Sequence, residues 1–185
     1  MNSLEEYAYI LDYLAQGSGG AGNFGRKEPV CYALGDEEFK LFELVPKQGA
    51  IVNIGERVYI GKDAAKRTII DHVKRRIGAS DLTHSAVAEL EYCTAEIVLA
   101  NQSRFIRFFN DAGPISMRKH LLEELPGLGK KTMESILKAR TVESFKDFTD
   151  LSTRASVKNP EKLIASRVVL EITDNTQKRY LFVSK

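Results

Sequence analysis

The sequence predicts a two-domain α and β protein. A small β-barrel is expected over residues 1–80, an all-helical domain over 81–174, and a last strand over 175–185 that returns to the barrel. The first third of the chain falls into short apolar runs bounded by Gly, Pro and Asn, the pattern of strands and tight turns. From Asp81 onward, apolar residues recur at helical spacing behind capping residues. The tail Arg179-Tyr-Leu-Phe-Val183 is again rich in residues that suit a strand, and the helical half offers it no partner. A chain of 185 residues with 43% hydrophobic composition can bury a core of this size.

The opening segment admits two readings. Ser3-x-x-Glu6 has the form of a capping box, and Leu4, Tyr7, Ala8, Leu11 and Leu14 make a helical stripe. Tyr7, Tyr9, Leu11 and Tyr13 also alternate, and aromatic residues favour strands, which tips the balance to a strand. Between Gly17 and Gly25 lies Gly17-x-Gly19-x-x-Gly22, the spacing of a dinucleotide-binding turn. That turn works only when a helix follows it, and Asn23-Phe-Gly-Arg-Lys-Glu-Pro29 is no helix, so a loop is expected. Pro29 to Leu34 reads as a short apolar strand, Phe39 to Val45 as a strand buried on both faces, and Gly55 to Gly61 as a strand bracketed by glycines. Ile69, Ile70, Val73 and Ile77 then give a helical stripe, with cations on the opposite side.

In the second half, Thr83 is placed to cap a helix carrying Ala86, Val87, Leu90, Ile97 and Val98, which Asn101 ends. A second helix is expected from Gln102 to Asp111, with Phe105, Ile106, Phe108 and Phe109 inward and Gly113-Pro114 as its stop. Ser116 is placed to cap a third, running to Leu125. Further helices are expected at Lys130 to Arg140, Phe145 to Arg154 and Glu161 to Ile172.

The formal net charge is only +2, which argues against a histone-like polycation but says nothing about segregation. Residues 57–80 carry net +5 between segments of net −5 and −3, and residues 116–140 carry net +3 between that −3 segment and a last segment of net +2. Two cysteines, Cys31 and Cys93, each in apolar context, make a disulfide framework or a zinc site unexpected. The histidines His72, His84 and His120 are scattered. No apolar run approaches the length of a membrane span and no signal peptide is evident, so a cytoplasmic protein is expected, with no cofactor or metal.

Residues 121–137 read Leu-Leu-Glu-Glu-Leu-Pro-Gly-Leu-Gly-Lys-Lys-Thr-Met-Glu-Ser-Ile-Leu and resemble the helix-hairpin-helix motif. Pro126 ends one helix. Gly127 and Gly129, with Leu128 between them, permit a tight turn whose backbone approaches a ligand closely. The next helix begins at once, so free N–H groups and the positive end of its dipole face outward, flanked by Lys130, Lys131 and Thr132, as a phosphate site requires. Leu121, Leu125, Leu128, Met133, Ile136 and Leu137 would pack the two helices together, although the motif usually has a smaller residue where Met133 stands. A second, degenerate copy follows around Ser156-Val-Lys-Asn159; it lacks both glycines and reads as structural. The other basic block supplies Lys62, Lys66, Arg67, Lys74, Arg75 and Arg76, read either as a solvated face or as an electrostatic stripe beside the barrel. Tyr32, Phe42 and Tyr59 are candidate stacking aromatics that equally suit a core.

The chain as a whole resembles an archaeal family of uncharacterised proteins, the domain of unknown function 655 family. The resemblance rests on Glu6-Tyr-Ala-Tyr-Ile-Leu-Asp-Tyr-Leu14, Leu41-Phe-Glu-Leu-Val-Pro-Lys47, Gly55-Glu-Arg-Val-Tyr-Ile-Gly-Lys62, His72-Val-Lys-Arg-Arg-Ile77, Arg104-Phe-Ile-Arg-Phe-Phe-Asn110 and Leu125-Pro-Gly-Leu-Gly-Lys-Lys131. It implies an OB-like barrel paired with a helix-hairpin-helix domain, and nucleic-acid binding as the expected function. The partner would be DNA or RNA, held mainly by its phosphate backbone, without catalysis. One alternative is a protein-interaction or assembly module that uses both motifs as packing. Another is a DNA glycosylase/lyase with Lys131 as nucleophile and Asp150 nearby; against it, the chain lacks that family's surrounding residues and a second helical lobe for a flipped base.

Overall fold

Alternation and turn chemistry build the first half. The structure, a computed structural model, describes residues 5–19 and 27–184. Five strands, β1 (Tyr7–Leu14), β2 (Val30–Gly35), β3 (Leu41–Pro46), β4 (Arg57–Tyr59) and β5 (Ile70–Ile77), form one curled antiparallel sheet in the order β4-β1-β2-β3-β5. Five α-helices follow: α1 (His84–Ala100), α2 (Gln102–Asp111), α3 (Lys130–Val142), α4 (Phe148–Ala155) and α5 (Pro160–Thr173). The chain divides into two compact units, residues 1–94 with 171–185, and residues 95–170.

The central strands β2 and β3 are buried on both sides, as their unbroken apolar runs require. On one face of the sheet, Ala8, Ile10, Cys31, Ala33, Phe42, Leu44, Val58, Ile60 and Ile70 form a single core. The strand reading of the opening segment holds. A bulge between Ile10 and Asp12 lets Ile10 and Leu11 both be buried, which is why its pattern also looked helical. Neither cysteine is in a disulfide and both are buried, and burial, aided by the Asp12 carboxylate, pushes the Cys31 thiol up to about 12.

The expected helical stripe at Ile69, Ile70, Val73 and Ile77 is instead a loop residue followed by β5. The cause is two bulges. Pro46, Leu44 and Phe42 stand two apart on β3, but their partners on β5 are Ile70, Val73 and Arg76, three apart. Each bulge adds a residue and converts period two into a spacing that mimics a helix. The same register puts Arg76 and Val73 on the core face beside Phe42 and Leu44, and Arg75 opposite Glu43 on the other face.

That other face is polar at its centre. Glu43 is fully buried, and its carboxylate accepts from Arg75 Nε at 2.6 Å and Ser18 Oγ at 2.9 Å, with Lys74 Nζ at 3.6 Å. The start of α1 is anchored nearby: Thr83 Oγ1 accepts from Ala86 N at 3.0 Å, the expected cap, and donates to Asp12. Cys93 Sγ reaches the Ile10 carbonyl at 3.9 Å. Of the loop expected from Gly17 to Gly25, residues 17–19 are described; the remainder, Gly22 included, lies outside the described residues.

The β2–β3 turn is organised by a buried carboxylate. Glu5 accepts backbone N–H groups from Glu37 and Glu38 at 2.8 Å each and from Lys40 at 3.3 Å. It rests directly against Gly35, where a Cβ would overlap the carboxylate. Gly35→Ala is therefore expected to lose about 1–3 kcal/mol of stability, the usual cost of overpacking, measured by urea denaturation. Burial pushes the Glu5 carboxyl above the ordinary carboxylate range, against the pull of its three N–H donors. A raised folded-state pKa means that the folded chain holds the proton more tightly than the unfolded one. The Glu5 contribution is thus fully present in acid and falls as the pH rises from about 4.5 through the raised value. Glu5→Gln should flatten the pH dependence of the urea midpoint in that window.

Two sequence expectations fail in the second half. Ser116 caps no helix; its hydroxyl accepts from the N–H groups of Arg118 and Lys119 in a tight turn closed by a Pro114–His120 bridge. Helical structure resumes only as a 3-10 turn, Leu121–Glu124, whose cap is the His120 side chain accepting from Leu122 N. The tail Arg179–Val183 is not a strand. The N–H groups of Leu181, Phe182 and Val183 all donate to Glu171 Oε1, at 2.8, 3.1 and 3.1 Å. Successive N–H groups converging on one oxygen are incompatible with a ladder, where they alternate sides.

Candidate nucleic-acid interface

In the unit of residues 95–170, the turn between the 3-10 helix and α3 is shaped by its two glycines. Leu128 N donates to the Leu125 carbonyl at 3.1 Å, closing the turn. Gly127 has φ +87°, a conformation costly for any residue with a Cβ, and it packs against Leu163 of α5. Gly129 is the N-cap of α3, with extended dihedrals and no side chain capping the helix. Its carbonyl takes the first helical bond, from Met133 N at 3.0 Å. Gly129, Lys130 and Lys131 are exposed and Thr132 is half-buried, so the first turn of α3 opens outward. An uncapped helix start flanked by two ammonium groups is a local positive field with aligned donors.

The turn is held from beneath. Leu122, Leu125 and Ile136 are fully or nearly buried, while Leu121, Leu128, Met133 and Leu137 are half-buried. Arg167 of α5, only 2% exposed, sends Nη1 to Glu124 Oε2 at 3.1 Å and to the Glu124 carbonyl at 3.4 Å, with Lys119 on the other carboxylate oxygen at 2.7 Å. Arg154 bonds the carbonyls of Ala139 and Glu143 at the far end of α3. The second hairpin, α4 to α5, reaches its turn through left-handed Ser156 and Asn159, with Val157 buried between them. Its two departures from glycine are strained positions rather than an open backbone cradle.

The glycosylase reading gains no geometry here. Lys131 is exposed, whereas a nucleophilic amine needs a desolvated or cation-crowded setting. The Asp150 carboxylate is engaged at the start of its own helix by Lys146 N at 3.0 Å and Arg154 Nη1 at 3.1 Å, which hold it below the ordinary carboxylate range.

The second basic block separates by face. Lys74 and Arg75 turn to Glu43 and serve the buried carboxylate. Lys62, Lys66, Arg67 and Arg76 come together around a cleft of about 970 Å³ in the sheet unit. Its walls include Phe42, Tyr59, Ile60 and Val73. Of the three candidate aromatics, Tyr32 is core and lies outside this cleft; Phe42 and Tyr59 line it. Lys40 also lines the cleft. Its place there was not legible in the sequence, because it depends on the turn that Glu5 organises.

Among the described residues no helix is long and apolar enough to cross a membrane. The family model described as a protein of unknown function (DUF655) matches residues 4–184. The chain is 43% identical over 180 residues to the uncharacterized protein MJ0038 of Methanocaldococcus jannaschii, an alignment spanning 97% of this chain and 80% of that one. It is also similar to the crystal structure of Af1531 from Archaeoglobus fulgidus, with a TM-score of 0.85 and 36% identity over 97% of this chain and all of the other. The motifs at Tyr7–Leu14, Gly55–Lys62 and Leu125–Lys131 thus fall within one matched span of almost the whole length, and the chain belongs to the DUF655 family.

Proposed function

We propose that this protein binds nucleic acid without catalysing a reaction, gripping backbone phosphate at the turn before α3. The observation that carries the reading is the glycine-capped, uncapped-by-side-chain start of α3, with Lys130 and Lys131 exposed on its first turn. Read as a helix-hairpin-helix, this turn offers its N–H groups and charge to one phosphate oxygen cluster, while the sheet unit, read as an OB-like barrel, adds the cations of its cleft. Phosphate contacts fix position and not sequence, so little sequence preference is expected. The small net charge implies few contacts and modest affinity.

A panel of single- and double-stranded DNA, single- and double-stranded RNA and tRNA, run by gel shift at 50 and 200 mM salt, tests the reading. At least one ligand should bind and should weaken with salt, with a log–log slope of about −0.7 to −0.9 for each phosphate neutralised. Binding to none of them, or affinity unchanged between the two salts, would contradict it.

A further inference from the structure

Resting on the nucleic-acid reading above, we infer that the cleft of the sheet unit is a seat for unpaired nucleotides, so that the preferred ligand of this unit is a single strand. The cleft is concave and of the size that holds a small organic group. A duplex has its bases stacked and paired and would offer such a hollow only its outer backbone. A single strand can place a base against the apolar walls and its phosphates on the rim.

The rim is suited to phosphate. Lys62, Lys66 and Arg76 are exposed and make no ion pair among the described residues. Arg67 is fixed in place, its Nη1 donating to the Gly61 carbonyl at 2.7 Å and its Nε to the Asp71 carbonyl at 3.0 Å. The lining carboxylates are Glu5, Glu6 and Asp63. Glu5 is already taken up by three backbone N–H groups, which leaves the free cations in the majority.

The wall is suited to a base. Tyr59 packs against Tyr7 in a T-shaped pair, with ring centroids 5.3 Å apart and planes at 73°. Its hydroxyl accepts from Asp63 N at 3.3 Å. Gly61 lies so close that a Cβ there would overlap the phenol end of the ring. A ring fixed at three points loses little freedom when a base stacks on it. Lys66 Nζ stands 5.7 Å from the Tyr59 ring centroid, a long and weak cation–π contact. An arriving base displaces that ammonium toward the neighbouring phosphate.

The test uses the full chain and fluorescent dT12 beside a 12-base-pair duplex, by anisotropy at fixed salt. In the triple variant Lys62→Glu, Lys66→Glu and Arg76→Glu, affinity for dT12 should fall at least tenfold, and duplex affinity by threefold or less. Tyr59→Leu should lower dT12 affinity by about fivefold or more, and a photoactivated 5-iodouracil strand should crosslink within residues 57–67. All three changed cations are exposed, so circular dichroism should show an unchanged fold. Wild-type binding with equal losses on duplex and single strand, or no loss on dT12, would overturn this inference and leave the hairpin reading standing. No wild-type binding to dT12, to rU12 or to a 12-base-pair duplex of either DNA or RNA would overturn both. Displacement of dT12 by an acidic peptide at equal charge concentration would assign the cleft to a protein partner and overturn it as well.

Discussion

Changing Lys130 and Lys131 together to glutamate should abolish most nucleic-acid binding while leaving the protein slightly more stable. The two effects run in opposite directions for one reason. Both residues sit on the first turn of α3, beside N–H groups that no side chain caps. A carboxylate there is favoured by the helix dipole, by about 0.3–1 kcal/mol each, so the variant should melt no earlier than the wild type. A phosphate in the same place would now face two negative groups in place of two positive ones. Affinity should fall at least tenfold, about 1.4 kcal/mol. The salt slope should shrink by about two, one for each lysine–phosphate contact removed. Loss of binding accompanied by unfolding would point to a different role for these residues. Binding retained with an unchanged slope would remove the hairpin turn from the interface.

Arg167→Ala should be among the most damaging single substitutions in the helical unit, costing about 3–5 kcal/mol in urea denaturation. The guanidinium is almost fully buried and bonds both the carboxylate and the carbonyl of Glu124, the last residue of the 3-10 turn. Removing it takes both of these bonds from half-buried Glu124, whose other carboxylate oxygen pairs with Lys119 at 2.7 Å. It also frees the segment that leads into Pro126 and Gly127. Arg167→Lys should recover part of the stability, because an ammonium keeps the charge but is more strongly hydrated than a guanidinium and costs more to bury. The double variant Glu124→Gln, Arg167→Met should be closer to wild type than Arg167→Ala, since no buried charge is then stranded. If both lose equally, the ion pair is not what holds the turn.

Elements whose signals are local were legible in the sequence. The continuous apolar runs of β2 and β3, the Thr83 cap of α1, the break at Asn101 and the glycines before α3 each act within a few residues. The parts that were not legible depend on partners far away in the chain. The β5 pattern imitates a helix because its two bulges are set by the register with β3, which no spacing within residues 70–77 reveals. The tail from Arg179 has strand-like composition, but one buried carboxylate on α5 takes three of its N–H groups. Ser116 had the right neighbours for a cap, yet Pro114 and His120 close a bridge around it.

The candidate site divides in the same way. The turn before α3 could be read from Leu125-Pro-Gly-Leu-Gly-Lys-Lys131 alone, because glycine and proline at those positions dictate a local geometry. The second basic block could be found but not sorted. Only the pairing of Glu43 with Arg75, and of Phe42 with Arg76, sends adjacent cations to opposite faces of one strand. One arginine then neutralises a buried acid and the next lines the cleft.

The most direct measurement of the central claim is an amide NMR titration of the full chain with a short oligonucleotide at low salt. Gripping of phosphate at the turn predicts that the N–H signals of Gly127 to Thr132 shift early and reverse on adding salt. Saturation of the protein with oligonucleotide while those six signals stay in place would contradict it.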